Sequence, residues 1–147
     1  MVAQLSRKTI IERRVLDRLV QTRLRESRVL LKGRCYGGAV YMAGYAVECC
    51  LKVAICTALD WSHLRATFMS HDLELLLMHT GLEQRLTRET EVRNSFAKIQ
   101  GIWTMTGEKA IRYRSPGDFK AADARSFLRW VSHRDIGVVP WLRKRIS

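Results

Sequence analysis

The sequence has few residues that interrupt helices and no pattern typical of β-strands. Only two prolines occur among 147 residues, whereas hydrophobic residues make up 47% of the chain. This composition excludes a disordered chain and predicts one domain, residues 1–147, with a substantial core. No segment alternates apolar and polar residues over any length, which excludes a sheet as the main element. The predicted fold class is all-α.

The four cysteines form no metal-ligand pattern. Cys35, Cys49, Cys50 and Cys56 contain no C-x-x-C spacing, and no histidine lies at zinc-ligand spacing from them. Free cysteines behave as small buried hydrophobic residues and suit a reducing compartment. We therefore expect no metal, no other cofactor and a cytoplasmic location.

Acidic residues are too few to balance the basic ones. Lys and Arg number 26 against 14 Asp and Glu, which gives a formal net charge of +12. Residues 1–34 hold ten basic and three acidic side chains, residues 35–111 seven and eight, and residues 112–147 nine and three. The two basic ends predict a phosphate-bearing partner, such as a nucleotide or RNA, or an acidic protein. Solvation of the surface alone is the alternative, and the sequence does not decide whether the two ends meet.

The segment from Tyr36 to Leu59 contains only two charged residues, Glu48 and Lys52, which lie four positions apart. A helix that is apolar on all sides must be buried in a bundle or in a membrane. The segment is long enough to cross a bilayer, but it is rich in Ala, Gly, Cys and Tyr, and its ionisable pair lies past the middle. No signal-peptide pattern precedes it. We expect the central helix of a bundle and no membrane span.

Hydrophobic periodicity and capping residues predict an up-and-down bundle of four to five helices. The first two predicted helices are residues 6–32, ending at Gly33, and residues 36–59. A short helix capped by Ser70 and ended by Gly81 follows, and then a helix from residue 82 or 87 to 105, broken at Thr106-Gly107. The last predicted elements are a helix capped by Asp118 and closed by Gly137, and a short turn from Pro140.

Three short motifs follow one another in a recognisable order within residues 25–130. They are Tyr45-Ala46-Val47-Glu48 with Leu51-Lys52, then His71-Asp72-Leu73, then Arg112-Tyr113 after a Trp-bearing helix. This order resembles the HEPN family (higher eukaryotes and prokaryotes nucleotide-binding domain). The resemblance implies a helical bundle that forms a homodimer and binds nucleotide or RNA. It also implies one component of a toxin–antitoxin or defence pair, with a nucleotidyltransferase-type partner or an acidic antitoxin protein.

Catalytic members of that family are metal-independent endoribonucleases with an Arg and a His separated by four to six residues. In this chemistry the His moves the proton of the 2′-hydroxyl or of the leaving oxygen, and the Arg holds the phosphate. Arg65 and His71 have the required spacing but lie earlier in the chain than the family's pair. The alternatives to a nucleotide- or RNA-binding protein are an endoribonuclease toxin that uses Arg65 and His71, or residues paired across a dimer, and a non-enzymatic basic module that docks an acidic protein.

Two further clusters are candidate nucleotide- or RNA-binding residues. Arg112-Tyr113-Arg114 can hold a phosphate and stack on a base, or Tyr113 can pin the loop to the bundle. Glu48 and Lys52 form either a buried structural pair or a phosphate contact in which Glu48 orients Lys52. The non-catalytic alternatives for His71 are a ring that bonds a neighbouring backbone group or carboxylate and a ring that contacts a nucleotide. For the arginine run on the first helix (Arg13, Arg14, Arg18, Arg25, Arg28), we expect a solvated face.

Overall fold

The computed structural model describes residues 10–103 and 107–146, and helices account for most of them. The α-helices in these ranges are α1 (Arg13–Lys32), α2 (Tyr36–Ala58), α3 (Leu73–Thr80), α4 (Glu83–Arg88), α5 (Thr90–Trp103), α6 (Ala121–Ser132) and α7 (Val138–Ile146). The predicted all-α helical bundle is confirmed. The described residues hold seven helices instead of four to five because the span predicted from residue 82 divides at Glu89 and the last turn extends into α7.

Helix α2 is the centre of the bundle. Fifteen of its 23 residues are buried, and α1, α3, α6 and α7 all pack against it. By length and composition it could cross a membrane, and 83% of its most apolar window is buried inside the fold. Its apolar sides are thus covered by helices of the same chain.

A glycine lets α5 approach the backbone of α2. A Cβ atom at Gly44 would lie 2.4 Å from Cε3 of Trp103, so a side chain there would overlap the indole. The rings of Tyr41 and Trp103 lie 5.5 Å apart between centroids, and Trp103 is only 5% exposed. This contact fixes the end of α5 on the first half of α2.

The residues just before α1 are extended. Ile11–Glu12 pairs antiparallel with His63–Leu64, and the Arg13 N–H donates to the Ser62 carbonyl oxygen at 2.9 Å. The prediction of a helix through residues 11 and 12 is therefore wrong, because their backbone groups pair with the segment after α2. The predicted helix start near Ser6 lies outside the described residues.

The N-cap of α3 is Asp72, two residues later than the predicted cap, Ser70. The carboxylate of Asp72 accepts hydrogen bonds from the N–H groups of Glu74 at 3.1 Å and Leu75 at 3.2 Å, which makes Asp72 the N-cap. The hydroxyl of Ser70 instead accepts from the Asp72 N–H at 3.1 Å. The predicted end is confirmed, since Gly81 follows α3 with φ +74°.

The boundaries of α6 also differ from the prediction. Asp118 accepts from the Ser115 N–H at 3.1 Å within a 3-10 turn, and Asp123 accepts from the Lys120 N–H at 2.8 Å at the start of α6. The helix ends at Ser132, before Gly137, which leads into α7. The predicted break at Thr106-Gly107 and the helix end at Met105 involve residues 104–106, which lie outside the described residues.

Candidate functional site

The turn between α1 and α2 places an arginine at the amino end of the central helix. Gly33 ends α1 as predicted, and its N–H donates to the Val29 carbonyl oxygen at 3.0 Å. Arg34 then adopts φ 62°, a conformation uncommon outside glycine. The Cys35 N–H donates to the Leu30 carbonyl oxygen at 2.8 Å. The connection is therefore only three residues long and hydrogen-bonded to α1.

The amino end of α2 presents uncapped backbone amides. The bond from the Ala39 N–H to the Cys35 carbonyl oxygen, at 2.9 Å, starts the helix, so the N–H groups of residues 36–38 have no acceptor within it. Cys35 provides no side-chain cap, and the first turn holds no acidic residue. A Cβ at Gly37 would meet Phe119 only at 3.8 Å. This end carries the positive pole of the helix and suits an anion.

A cleft of about 640 Å³ lies at this helix end. Its charged lining residues are Arg34, Arg112 and Arg114, and no carboxylate is among the residues that line it. Tyr36 and Tyr41 add aromatic surface. The volume falls within the range of small-molecule sites, about 300–1,000 Å³.

The three arginines differ in how firmly they are held. The Arg114 Nε lies 3.6 Å from the Asp118 carboxylate, and its guanidinium lies 4.5 Å from the centre of the Phe119 ring. Arg34 and Arg112 are exposed, and neither forms an ion pair within the part of the chain that the structure describes. The cleft thus combines one oriented guanidinium with two that are free to bind a ligand.

The cleft joins the two basic ends of the sequence. Arg34 belongs to the basic segment 1–34, and Arg112 and Arg114 belong to the basic segment 112–147. The same ends meet again at the start of α1, where Arg143 lies 3.4 Å from the Asp17 carboxylate. A smaller cavity of about 340 Å³ there is lined by Arg143, by Arg13 and Arg14 of α1, and by Asp17.

Glu48 and Lys52 form the predicted buried pair. The Lys52 Nζ lies 3.3 Å from the Glu48 Oε2, and the two residues are 1% and 4% exposed. Neither residue lines the cleft, so their predicted ligand contact would require a different site. The geometry is that of two charges neutralising each other in the core.

His71 and Arg65, the predicted catalytic pair, have separate partners. The His71 Nδ1 lies 2.7 Å from the Glu48 Oε1, and 62% of the histidine side chain is exposed. Since Glu48 also faces Lys52 and acts as a carboxylate, Nδ1 is the donor. The Arg65 guanidinium lies 4.3 Å from the centre of the Trp61 ring. The predicted bond from His71 to a carboxylate is confirmed, and neither residue lines the cleft.

Tyr113 lies beside the cleft and points away from the bundle. It is 72% exposed and is not one of the lining residues. The alternative in which Tyr113 pins its loop to the bundle is therefore wrong, because that role requires burial. An exposed ring between two cleft arginines remains available for stacking.

The cysteines divide into one exposed and three buried thiols. Burial raises the pKa of Cys49 and of Cys50 to about 12, and it also raises the pKa of Cys56. Cys35 is exposed and lines the cleft. Within residues 10–103 and 107–146, no three His, Cys, Asp or Glu side chains converge as a metal site would require.

Sequence reasoning missed Arg34, Tyr36 and Tyr41 as site residues. Arg34 and Arg112 are 78 positions apart, and only the packed bundle brings them to one cleft. One local signal was present: Arg34 is followed closely by Gly37-Gly38 at the start of a long apolar helix. That order is typical of a helix start that a ligand can approach closely.

Comparisons with protein-family models, with curated proteins and with solved structures find no match. The resemblance to the HEPN family therefore stays a prediction.

Proposed function

We propose that the protein binds the phosphate of a nucleotide or of RNA in the cleft at the amino end of α2. The observation that carries this proposal is the convergence of Arg34, Arg112 and Arg114 on uncapped helix amides, with no carboxylate in the lining. Helix amino ends bind phosphate through backbone N–H groups. A guanidinium adds paired hydrogen bonds to two phosphate oxygens.

The size and lining of the cleft favour a nucleotide over inorganic phosphate. About 640 Å³ is more than one phosphate fills, and the rings of Tyr36 and Tyr41 offer apolar surface next to the arginines. Exposed Tyr113 stands between Arg112 and Arg114 in the chain and could stack on a base. Base–aromatic stacking tolerates different bases, so we expect weak base preference.

The test is a calorimetric titration with uridine monophosphate, inorganic phosphate and a short RNA. Replacing Arg112 with Gln should weaken nucleotide binding about tenfold or more, because hydrogen bonds to charged groups contribute about 1.5–3 kcal/mol. Arg125→Gln on α6 is the matched control, since it removes the same charge from another exposed position. Equal nucleotide affinity in both variants and the parent protein would contradict the proposal.

We further propose that the protein is a HEPN-like component of a toxin–antitoxin or defence pair. The charge of +12, the helical bundle and the ordered motifs support this proposal. The expected state is a cytoplasmic homodimer that associates with a nucleotidyltransferase-type or acidic antitoxin protein. Light scattering would measure the dimer, and co-expression with the product of the adjacent gene would test the pairing. An acidic partner that binds while RNA and nucleotide do not would favour the non-enzymatic interaction module.

A second candidate function is a metal-independent endoribonuclease, which the geometry of His71 favours. A buried carboxylate holds Nδ1 at 2.7 Å, and the exposed ring makes no other hydrogen bond within the described residues. A histidine oriented in this way can transfer protons at Nε2. RNA cleavage in the presence of EDTA, lost in His71→Ala and kept in His63→Ala, would support it. No cleavage by the parent protein would exclude it.

A further inference from the structure

Helix α1 presents one exposed face formed almost entirely by cations. Residues 14, 18, 21, 25, 28 and 32 recur at alternating steps of four and three, and all six are exposed. At about 100° per residue they fall within an arc of about 80°. Five of the six are basic, and we call these five the basic face (Arg14, Arg18, Arg25, Arg28 and Lys32). Gln21 is the sixth.

No acidic residue of α1 interrupts the basic face. Asp17 pairs with Arg143, and Glu26 pairs with Arg23 at 2.8 Å. Glu12, which precedes the helix, pairs with Arg14. In the ranges that the structure describes, the remaining four residues of the basic face have no ion pair (Arg18, Arg25, Arg28 and Lys32). Unpaired exposed cations in a row create a field that attracts a linear polyanion.

The basic face leads to the cleft. Its last residue, Lys32, is separated from the cleft residue Arg34 only by Gly33. Its first residue, Arg14, lines the smaller cavity with Arg143. From residue 14 to residue 32 the helix rises about 27 Å. The positive surface therefore runs from one arginine-lined cavity to the other along one side of the bundle.

We propose that the basic face binds the phosphate backbone of a single-stranded nucleic acid, one nucleotide of which occupies the cleft. This inference rests on the proposed function and adds that the ligand is an oligonucleotide, with the free nucleotide bound more weakly. A stacked strand has one phosphate per about 3.4 Å, so 27 Å accommodates up to about eight nucleotides. A more extended strand would place fewer nucleotides there.

The composition of the face favours nucleic acid over an acidic protein or a membrane. Four of its five cations are arginines, whose planar guanidinium matches phosphate geometry. A membrane-bound helix needs an apolar face for lipid, whereas the apolar face of α1, including Leu16, Val20 and Leu24, is buried in the core. A nucleotide of the strand that occupies the cleft would have an unpaired base, which a duplex does not offer.

The experiment compares uridine monophosphate with a ten-nucleotide RNA on two charge-matched variants. One combines Arg18→Gln, Arg25→Gln and Arg28→Gln on the basic face. The control combines Arg85→Gln, Arg88→Gln and Arg125→Gln, which are exposed residues of α4 and α6. Gln keeps the helix propensity of Arg, and circular dichroism checks folding.

We expect the basic-face variant to bind the ten-nucleotide RNA about tenfold more weakly, with mononucleotide affinity unchanged. The slope of log affinity against log salt should fall by about 2, because each phosphate contact contributes about 0.7 for a single strand. The control variant should match the parent protein. A duplex of the same length should compete poorly.

The outcomes separate this inference from the proposed function. Mononucleotide binding that depends on Arg112, with RNA affinity unaffected by the basic-face changes, would overturn the inference and leave the cleft proposal standing. Absence of Arg112-dependent binding by any nucleotide would overturn the cleft proposal and the inference with it. An equal loss of RNA affinity in the control variant would show that the effect depends only on the net charge of the protein, and it would also overturn the inference.

Discussion

The Nδ1 of His71 lies 2.7 Å from the Oε1 of Glu48, a carboxylate 23 positions earlier that is 1% exposed. The other oxygen of this carboxylate faces the Lys52 Nζ at 3.3 Å. The buried Glu48 carboxylate therefore contacts one buried partner, Lys52, and one exposed partner, His71. The arrangement ties the middle of α2 to the segment that enters α3.

Removal of Glu48 alone should destabilise the protein strongly. Glu48→Met leaves the Lys52 ammonium buried without its partner, and we expect a loss of about 3–5 kcal/mol in the free energy of unfolding. Adding Lys52→Met should recover most of that loss, since both charges are then gone and the volume is kept. Urea unfolding of the two variants measures the difference. A double variant no more stable than Glu48→Met would show that the two charges are not coupled.

Gly44→Ala should destabilise the contact between α2 and α5. The new Cβ would lie 2.4 Å from the Trp103 ring, and overpacking of this kind costs about 1–3 kcal/mol. Gly101→Ala is the control, because nothing lies within 4 Å of its Cβ position in α5. For Gly101→Ala we expect the free energy of unfolding to rise by about 0.5–1 kcal/mol, because Ala has a higher helix propensity than Gly. The midpoint of thermal unfolding should fall for Gly44→Ala and rise for Gly101→Ala. A shift in the same direction for both variants would contradict this packing.

Only Cys35 should react rapidly with a thiol reagent at pH 8. The thiolate is the reactive species, and burial raises the pKa of Cys49 and Cys50 to about 12, so both stay protonated until the pH approaches that value. Cys56 is buried as well, and its pKa is also raised. A colorimetric thiol assay should therefore count one fast thiol in the native protein and four in urea. Cys35→Ser should abolish the fast phase, and a persisting fast phase would place the reactive thiol elsewhere.

Ligand in the cleft should protect Cys35 from that reagent. Cys35 lines the cleft beside Arg34 and Tyr36, so a bound nucleotide would cover the thiol. We expect the fast rate to fall as uridine monophosphate is added, with half-protection at the dissociation constant measured by calorimetry. An unchanged rate at saturating nucleotide would place the ligand elsewhere. Arg112→Gln should shift the protection to higher nucleotide concentration, whereas Arg125→Gln should leave it unchanged.

Asp72→Ala should destabilise α3 more than Ser70→Ala does. Asp72 accepts two hydrogen bonds from the first turn, and losing an N-cap costs about 1 kcal/mol. Ser70 accepts only one bond, from the Asp72 N–H, outside the helix. Urea unfolding distinguishes the two variants. A larger loss of unfolding free energy for Ser70→Ala would indicate that Ser70 is the N-cap, as the sequence predicted.

The sequence predicted the parts of the fold that local patterns encode. The continuous apolar run identified α2, and the four-residue spacing of Glu48 and Lys52 identified their pairing, because both signals are carried by neighbouring residues on one helix. Gly81 marked the end of α3 for the same reason. The caps of α3 and α6 were misplaced because Ser70, Asp72, Asp118 and Asp123 offer competing acceptors within a few residues. Which of them caps a helix depends on the packing that fixes the helix start.

The candidate site was predictable only in part. Arg112 and Arg114 were identified from their local cluster, and both line the cleft. Arg34 was not identified, because its role depends on a contact between segments that are far apart in the chain. The pairing of Ile11 with Leu64 was missed similarly, since two paired residues are too few to show an alternating pattern.

The enclosure of α2 has a consequence for how this protein can respond to a ligand. A rod held by neighbours along its length cannot slide or tilt unless much of the interior opens with it. We therefore expect a bound ligand to rearrange the exposed side chains that line the cleft, such as Arg34 and Arg112, and to leave the position of α2 unchanged.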